Sequence, residues 1–287
     1  MSGTTISTKD ISELRARTGA GIGDCKKALE EAGGDLSKAA EILRAKGIAK
    51  AEKRAGRAAS QGLIGIELVG GATSAAMIEL NSETDFVARN DEFKRLLRGL
   101  VADAAKHAPL GVAELTEGGY LEQPYGDSTV GETVKFASGK TGEAIALRRV
   151  AHFAPEGGVV GHYLHHNEQV GVLVELAGAT GDAALALAKD IALHIASADP
   201  IAVAPSDIPA EVVDRERRIA EEQVAAEGKP ENIRAKIVEG KLKKFAQERA
   251  LLEQPFIKDD SKSVGQLVAA VPGATVIRFA RFRVGEG

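Results

Sequence analysis

The first 45 or so residues repeat apolar positions at the spacing of three short helices. Ser7 and Asp10 are spaced as a capping pair for the first helix, and Asp35 can cap the third. A bundle of this size has a marginal core, which favours a docking module over an enzyme. The three predicted apolar stripes are Ile11 and Leu14; Cys25, Ala28, Leu29 and Ala32; Leu36, Ala39, Ala40 and Leu43.

The middle of the chain carries an alternating apolar and polar pattern that occurs twice. Residues 64–80 hold two alternating runs around a glycine turn, and a helical pattern follows. Residues 159–176 hold a similar pair, again followed by a helical pattern. Each half then closes with a predicted strand, at residues 144–149 and 274–279. The repeat predicts two strand-strand-helix-strand units, hence an α+β fold whose core has two parts built from antiparallel sheets with helices.

Each half of this core has an insertion before its closing strand. Residues 109–142 are rich in glycine, with one short helix predicted over residues 129–137. The second insertion has two helical arms around Gly228-Lys229-Pro230. Its apolar seam is too narrow for a domain core, so we predict a protruding antiparallel coiled coil.

These patterns divide the chain into four predicted segments. They are a helical domain with a basic linker at residues 1–56, the first core half at 57–153, the second core half at 154–207 and 250–287, and the coiled-coil insertion at 208–249.

Phe86 stands among polar residues between a strand end and a helix that Asn90 can cap. That helix has its own apolar stripe, and Phe86 lies outside it. The side chain therefore either tucks under the helix start as a staple or projects as a knob for a partner. The residue type alone favours the buried alternative, because Phe is usually interior.

Composition narrows the class of protein. The 287 residues include 37 Lys+Arg and 41 Asp+Glu, and a net charge of -4 argues against bulk attraction to nucleic acid or an anionic membrane. The single Cys25 excludes an intramolecular disulfide, and no apolar stretch approaches the roughly 20 residues of a membrane span. The polar start lacks the apolar core of a secretory signal. We therefore expect a cytoplasmic protein without membrane association.

Two glycine-containing patterns resemble nucleotide sites only in part. Ser138-Gly139-Lys140-Thr141 has the tail of a phosphate-binding loop, but Val134 stands where the first glycine of that loop belongs. Gly19-Ala20-Gly21-Ile22-Gly23 follows a predicted helix, whereas a dinucleotide turn follows a strand. We therefore expect no bound nucleotide or other cofactor.

Two alternative functions stay open. An enzyme would use His162, His165 and His166, but on a strand these side chains cannot all reach one metal ion, and no catalytic set can be assembled from spacing. A nucleic-acid binder would use basic residues 46–57 and the basic face of the coiled coil, although no aromatic residue interleaves the first segment. Neither catalysis, a metal nor direct nucleic-acid binding is expected.

Four motifs, in order along nearly the whole chain, resemble bacterial elongation factor Ts, the nucleotide exchange factor of elongation factor Tu. The most distinctive is Thr84-Asp85-Phe86-Val87-Ala88. The other three are Leu14-Arg15-Ala16-Arg17-Thr18-Gly19-Ala20-Gly21 with Asp24-Cys25-Lys26-Lys27-Ala28-Leu29, then His194-Ile195-Ala196-Ser197, then Gln254-Pro255-Phe256 with Val264-Gly265-Gln266-Leu267.

The resemblance implies a factor that binds elongation factor Tu with GDP and promotes GDP release during translation elongation. It implies that Phe86 is a wedge pushed into the partner's nucleotide domain, that Asp85 positions it, and that the helical module is of the ubiquitin-associated type. A homodimer stays open. The partner-binding residues implied are Thr84, Asp85, Phe86, Val87, Arg15, Ile22, Gly23, Lys26, Thr141 and His194.

Three positions depart from the family's pattern. Thr141 stands before Gly142-Glu143 where family members usually have an apolar residue, and Gly23 replaces a larger residue. The chain ends at Gly287, where some relatives continue into a further helix. We expect the hydrophobic contact at Thr141 to be weakened.

Overall fold

The computed structural model describes residues 6–54, 56–108, 110–113, 119–227 and 230–286. Several predicted features lie outside the described residues. They are the first five residues of the helical domain, Pro109 at the start of the first insertion, Gly228 and Lys229 of the hairpin turn, and the final Gly287.

Within the described residues the chain forms ten α-helices and eleven β-strands, and this mixture confirms the α+β class. The helices are α1 (Thr8–Thr18), α2 (Ile22–Glu31), α3 (Leu36–Glu52), α4 (Asp85–Ala88), α5 (Asp91–His107), α6 (Val130–Thr141), α7 (Gly181–Ala198), α8 (Ala210–Ala226), α9 (Glu231–Arg249) and α10 (Val264–Ala269). The strands are β1 (Gln61–Val69), β2 (Ser74–Ser82), β3 (Gly111–Ala113), β4 (Pro124–Tyr125), β5 (Ser128–Thr129), β6 (Ile145–Phe153), β7 (Val159–Leu164), β8 (Val170–Ala177), β9 (Pro255–Phe256), β10 (Asp259–Ser263) and β11 (Thr275–Arg283).

The strands form two main sheets. One has the order β1-β2-β6-β3 and the other the order β11-β8-β7, while β4 with β5 and β9 with β10 make small pairs. β7 and β8 are antiparallel, with Val159 opposite Leu176 and Leu164 opposite Gly171. The strands predicted to close each half are confirmed as β6 and β11. β6 belongs to the first of these sheets and β11 to the second.

Contacts within the chain define two compact units. The first consists of Met1–Gly65, Ile78–Val150 and Arg283–Gly287, and the second of Ile66–Met77 and Ala151–Phe282.

The helical module, α1 to α3, belongs to the first unit and has its own core. The predicted capping box of Ser7 with Asp10 is present, and the Asp35 side chain caps α3. Cys25 is fully buried, and burial raises the pKa of its thiol. The fully buried residues of this core are Leu14, Cys25, Ala28, Leu29 and Ala39.

The module is not an isolated bundle, because α3 packs along α6. The crossing is close at two glycines: a Cβ built on Gly139 would lie 2.6 Å from Cα of Gly47. α3 runs to Glu52, so about half of the basic segment 46–57 is helical. Short helix-to-helix distances of this kind require small residues at the contact. The two glycines therefore allow this approach.

The helix predicted within the first insertion is confirmed as α6, and it runs further than predicted. Thr129 and Glu132 form a capping box at its start, and Gly142 ends it in the left-handed conformation with φ 80°. The segment that resembles the tail of a phosphate-binding loop is thus the last turn of a helix. Its Lys140 forms an ion pair of 2.8 Å with Glu92.

In the second unit, α7 packs on β7 and β8, and the following insertion is a pair of packed helices, α8 and α9. Ala220, Val224 and Val238 are the buried residues of the seam between them. A separate small cluster of buried residues, next to the start of α8 and the end of α9, contains Ala202, Ile208 and Ala250. The narrow seam agrees with the coiled-coil prediction.

Candidate functional site

Phe86 lies on the loop formed by residues 82–90, here named the Phe86 loop, where β2 leads into the single turn of α4. Its side chain is 84% exposed, so the expectation of a buried Phe86 is wrong. The buried position of this turn is taken by Ala88. The predicted cap of the next helix is confirmed, since Asn90 Oδ1 accepts a hydrogen bond from Glu92 N. Phe86 is therefore presented to solvent from the short helix α4, which directly precedes α5.

Hydrogen bonds that the Glu143 carboxylate accepts hold the start of α4 in place. Thr84 N and Thr84 Oγ1 donate to the two carboxylate oxygens of Glu143, at 3.0 and 2.7 Å. Thr84 Oγ1 also accepts from Val87 N at 3.4 Å and caps the turn that carries Phe86. The loop is therefore fixed to residues about 60 positions later in the chain.

A second carboxylate, that of Glu83 beside Thr84, accepts a hydrogen bond from the residue that follows Glu143. Glu83 Oε1 accepts from Ala144 N at 2.7 Å, and Arg57 Nη1 lies 3.3 Å from the same oxygen. The Ala144 N–H, with Arg57 beside it, holds the pKa of Glu83 below its ordinary value. A carboxyl group with a lowered pKa stabilises the fold above its unfolded-state pKa, and that contribution is lost as the pH falls through the folded-state pKa.

Asp85 and Val87 flank Phe86 with partly exposed side chains. Asp85 forms an ion pair of 3.1 Å with Arg89, one turn further along the loop. Exposed pairs of this kind contribute little to stability. Asp85 thus remains available to a partner, because this exposed pair holds it only weakly.

The other predicted contact residues near the N-terminus share exposed positions in the helical module. Ile22, Gly23 and Lys26 occupy the first turns of α2, and Arg15 lies on α1; together these four are here named the α2 face. Ile22 is 58% exposed, and a Cβ on Gly23 would meet no atom within 4 Å. Lys26 forms a long ion pair of 3.9 Å with Glu30. The apolar side chain of Ile22 and the cationic side chains of Arg15 and Lys26 are therefore all open to contact.

Thr141 lies at the end of α6 and is half-buried. Its Oγ1 donates to the Ala137 carbonyl at 3.0 Å, in the same helix, and accepts from Glu143 N at 3.4 Å. The hydroxyl is thus engaged within the chain, close to the carboxylate that holds the Phe86 loop.

His194 lies in the second unit, on α7, and its side chain is 0% exposed. Its Nε2 is 2.8 Å from Gln254 Oε1, and its Nδ1 accepts from Ile257 N at 3.3 Å. The ring therefore has no free surface for a partner in this conformation. What it fixes is the backbone beside Ile257, whose side chain is exposed.

The burial of His194 predicts a pH dependence of stability. Burial lowers its pKa, against the weaker effect of the Gln254 hydrogen bond. An unfolded histidine takes up a proton near pH 6.5, so the unfolded state binds more protons below that pH and the free energy of unfolding falls. Urea unfolding at pH 7.5 and at pH 5.5 should therefore show a loss of stability on acidification, smaller in His194→Gln.

The pKa of His162 is also lowered, mainly by burial and to a lesser extent by the positive charge of Lys189. The double variant His162→Gln, His194→Gln should show a smaller pH slope than either single variant. An unchanged slope in His194→Gln would contradict the neutral, buried imidazole.

The histidine-rich segment does not lie on one strand, because β7 ends at Leu164. His165 Nδ1 is 2.8 Å from Tyr163 Oη, and the rings of His165 and His166 have centroids 4.3 Å apart. Among the described residues no group of three or more potential ligands is placed to hold a metal ion.

Sequence reasoning missed Glu83, Glu143 and the Gly47–Gly139 crossing. A weak signal exists for the glutamates, since Glu83 directly precedes the Thr84-Asp85-Phe86-Val87-Ala88 motif and Glu143 follows Thr141, where the chain departs from the family's pattern. Their pairing across about 60 residues has no local signature.

None of the helices in the described part of the chain combines the length and the apolarity that a membrane crossing needs. Comparison with known proteins adds the family. The family model described as elongation factor TS matches residues 83–286.

The relatives of the chain cover nearly its whole length. The elongation factor Ts of Aquifex aeolicus is 46% identical, with 98% of both chains covered. That of Prosthecochloris aestuarii is 44% identical over 98% of this chain and 99% of its own, and that of a Nitratiruptor species is 45% identical over 98% and 94%. With its exposed Phe86 in the Thr84-Asp85-Phe86-Val87-Ala88 motif, the chain belongs to the elongation factor Ts family.

Proposed function

We propose that this protein is a guanine nucleotide exchange factor that binds elongation factor Tu with GDP and promotes GDP release during translation elongation. The observation that carries the proposal is the 84% exposure of Phe86 in the family motif. An aromatic side chain held away from its own core gains most of its burial from a partner.

In this proposal, Phe86 enters the nucleotide domain of the partner as a wedge and displaces elements that hold magnesium and the phosphates. Thr84, Asp85 and Val87 surround it, and Asp85 directs the approach. The α2 face contacts a helix of the same partner domain. Its exposed apolar Ile22, together with the exposed cations Arg15 and Lys26, suits a helix with apolar and acidic residues.

His194 and Thr141 have indirect roles in the proposal. Both side chains are engaged within the chain, so each acts by placing its neighbours. For His194 the neighbour offered to a more distant partner domain is the exposed Ile257.

Exchange requires no catalytic group in the factor itself. The factor binds more tightly to the empty partner than to the nucleotide-bound partner, and linkage then requires that nucleotide weaken the factor's binding by the same ratio. We propose accordingly that the chain is not an enzyme and acts in the cytoplasm, without a nucleic-acid ligand.

The domain division of the proposal follows function. Residues 1–56 dock through the α2 face, the two core halves at 57–153 and at 154–207 with 250–287 present the Phe86 loop and the Ile257 region, and residues 208–249 form an accessory arm. A homodimer is compatible with this division.

The reciprocity gives the test. Release of a fluorescent GDP analogue from elongation factor Tu should accelerate with added protein, and calorimetry should show an affinity about 5–150-fold lower when the partner is saturated with GDP, the usual range of coupling between sites. Serum albumin, which lacks the nucleotide site of elongation factor Tu, is the control protein for the binding measurement. An affinity indifferent to saturating GDP would contradict exchange.

A further inference from the structure

We propose that Glu143 is a positioning residue for exchange, which holds Phe86 in its binding geometry through Thr84. This inference rests on the proposed function of Phe86 as a wedge. Glu143 accepts two hydrogen bonds from one residue, at 3.0 Å from Thr84 N and 2.7 Å from Thr84 Oγ1. Two bonds to the residue that caps α4 fix both its position and its orientation.

The hydrogen bond that Ala144 N donates to Glu83 Oε1, 2.7 Å long, makes the arrangement reciprocal. Residues 83–84 and 143–144 each contribute one carboxylate, and each carboxylate binds the backbone N–H of the other pair. We name these four residues the clasp. Hydrogen bonds to ionised carboxylates are roughly twice as strong as neutral ones, so the clasp resists displacement in both directions.

Glu143 is itself fixed at the end of α6. Ser138 Oγ donates to the Glu143 carbonyl at 2.6 Å, and Gly142 closes the helix in the left-handed conformation. The carboxylate therefore extends from an anchored backbone, and α6 becomes the support of the Phe86 loop.

The loop needs such a support because α4 is a helix of only four residues. Helices this short do not persist on their own in water. Phe86, which is 84% exposed, makes little packing contact that could hold the turn. A partner that had to order the loop would lose binding free energy, so a loop ordered in advance makes the wedge more effective.

The test is a double-mutant cycle of Glu143→Ala with Phe86→Ala, read out as the rate of GDP release at saturating factor. In the chain with Phe86, Glu143→Ala should reduce the accelerated rate about tenfold. In the Phe86→Ala background it should change the rate by less than about twofold, because there is no wedge left to position. Glu143→Gln should lie between, since its amide still offers one acceptor oxygen.

Controls separate positioning from folding. Glu156→Ala removes an exposed glutamate in another part of the chain and should leave the rate unchanged. Thr84→Val removes the hydroxyl's bond to Glu143 and its cap bond from Val87 N, but it keeps the bond from the Thr84 backbone N–H to Glu143. It provides a second test if Glu143→Ala does not fold. It should also lose its effect in the Phe86→Ala background.

An equal loss in both backgrounds, or no loss in either, would overturn the positioning role. Failure of the proposed function gives a different result, because the unaltered chain would then not accelerate GDP release at all.

Discussion

Replacing Phe86 with alanine is expected to slow the GDP release promoted by this protein about 30-fold or more, while the free energy of unfolding changes by less than about 0.5 kcal/mol. Truncation of a buried interface aromatic often costs about 2 kcal/mol or more in binding. In the free protein the side chain is 84% exposed, so its removal leaves no cavity. GDP release measured by fluorescence and denaturant unfolding of the same variant check both halves.

Phe93 provides the matched control, because it lies seven positions later in the chain and is only 3% exposed. Phe93→Ala should lower the free energy of unfolding by about 3–5 kcal/mol, as core Phe truncations do. If Phe86→Ala were equally destabilising, or if it left GDP release unchanged, the wedge assignment would be contradicted.

The features predicted correctly from the sequence are those set by neighbouring residues. The Ser7 and Asp10 capping box, the Asp35 cap and the Asn90 cap each depend on a side chain and a backbone N–H within three positions. The two closing strands follow from alternation within six residues. Side chains close together in the sequence are enough to indicate such elements.

The exposure of the Phe86 side chain does not follow from neighbouring residues in this way. The sequence shows that Phe86 lies outside an apolar stripe, but it does not show which side chain fills the turn. In the structure Ala88 fills it, and Phe86 has no place left in the core. The buried state of His194 is similar, since it depends on Gln254, 60 positions away.

The position of α6 in the structure has no signature in the sequence. Its residues predict one short helix in an insertion and resemble the tail of a phosphate-binding loop. In the structure α6 meets α3 at Gly139 and supports the Phe86 loop through Glu143. Glycine in a helical pattern indicates close packing only once its neighbour is known.

Gly139→Ala is expected to destabilise the protein by about 1–3 kcal/mol, the usual cost of overpacking. The sign is the informative part, because alanine in place of glycine within a helix normally stabilises by up to about 1 kcal/mol. Here the added Cβ would lie 2.6 Å from Cα and 2.7 Å from the carbonyl carbon of Gly47. Backbone atoms cannot rotate away as a side chain can, so α3 and α6 must separate.

Gly240 in α9 is the matched control, since a Cβ there would meet no atom within 4 Å. Urea midpoints should therefore move in opposite directions, down for Gly139→Ala and up for Gly240→Ala. Separation of α3 from α6 also shifts the α2 face relative to the Phe86 loop. The concentration of factor that gives half-maximal GDP release should rise several-fold in Gly139→Ala, while the maximal rate, which depends on Phe86, changes little. A stabilised Gly139→Ala variant with unchanged half-maximal concentration would show that the crossing does not hold the two contact surfaces together.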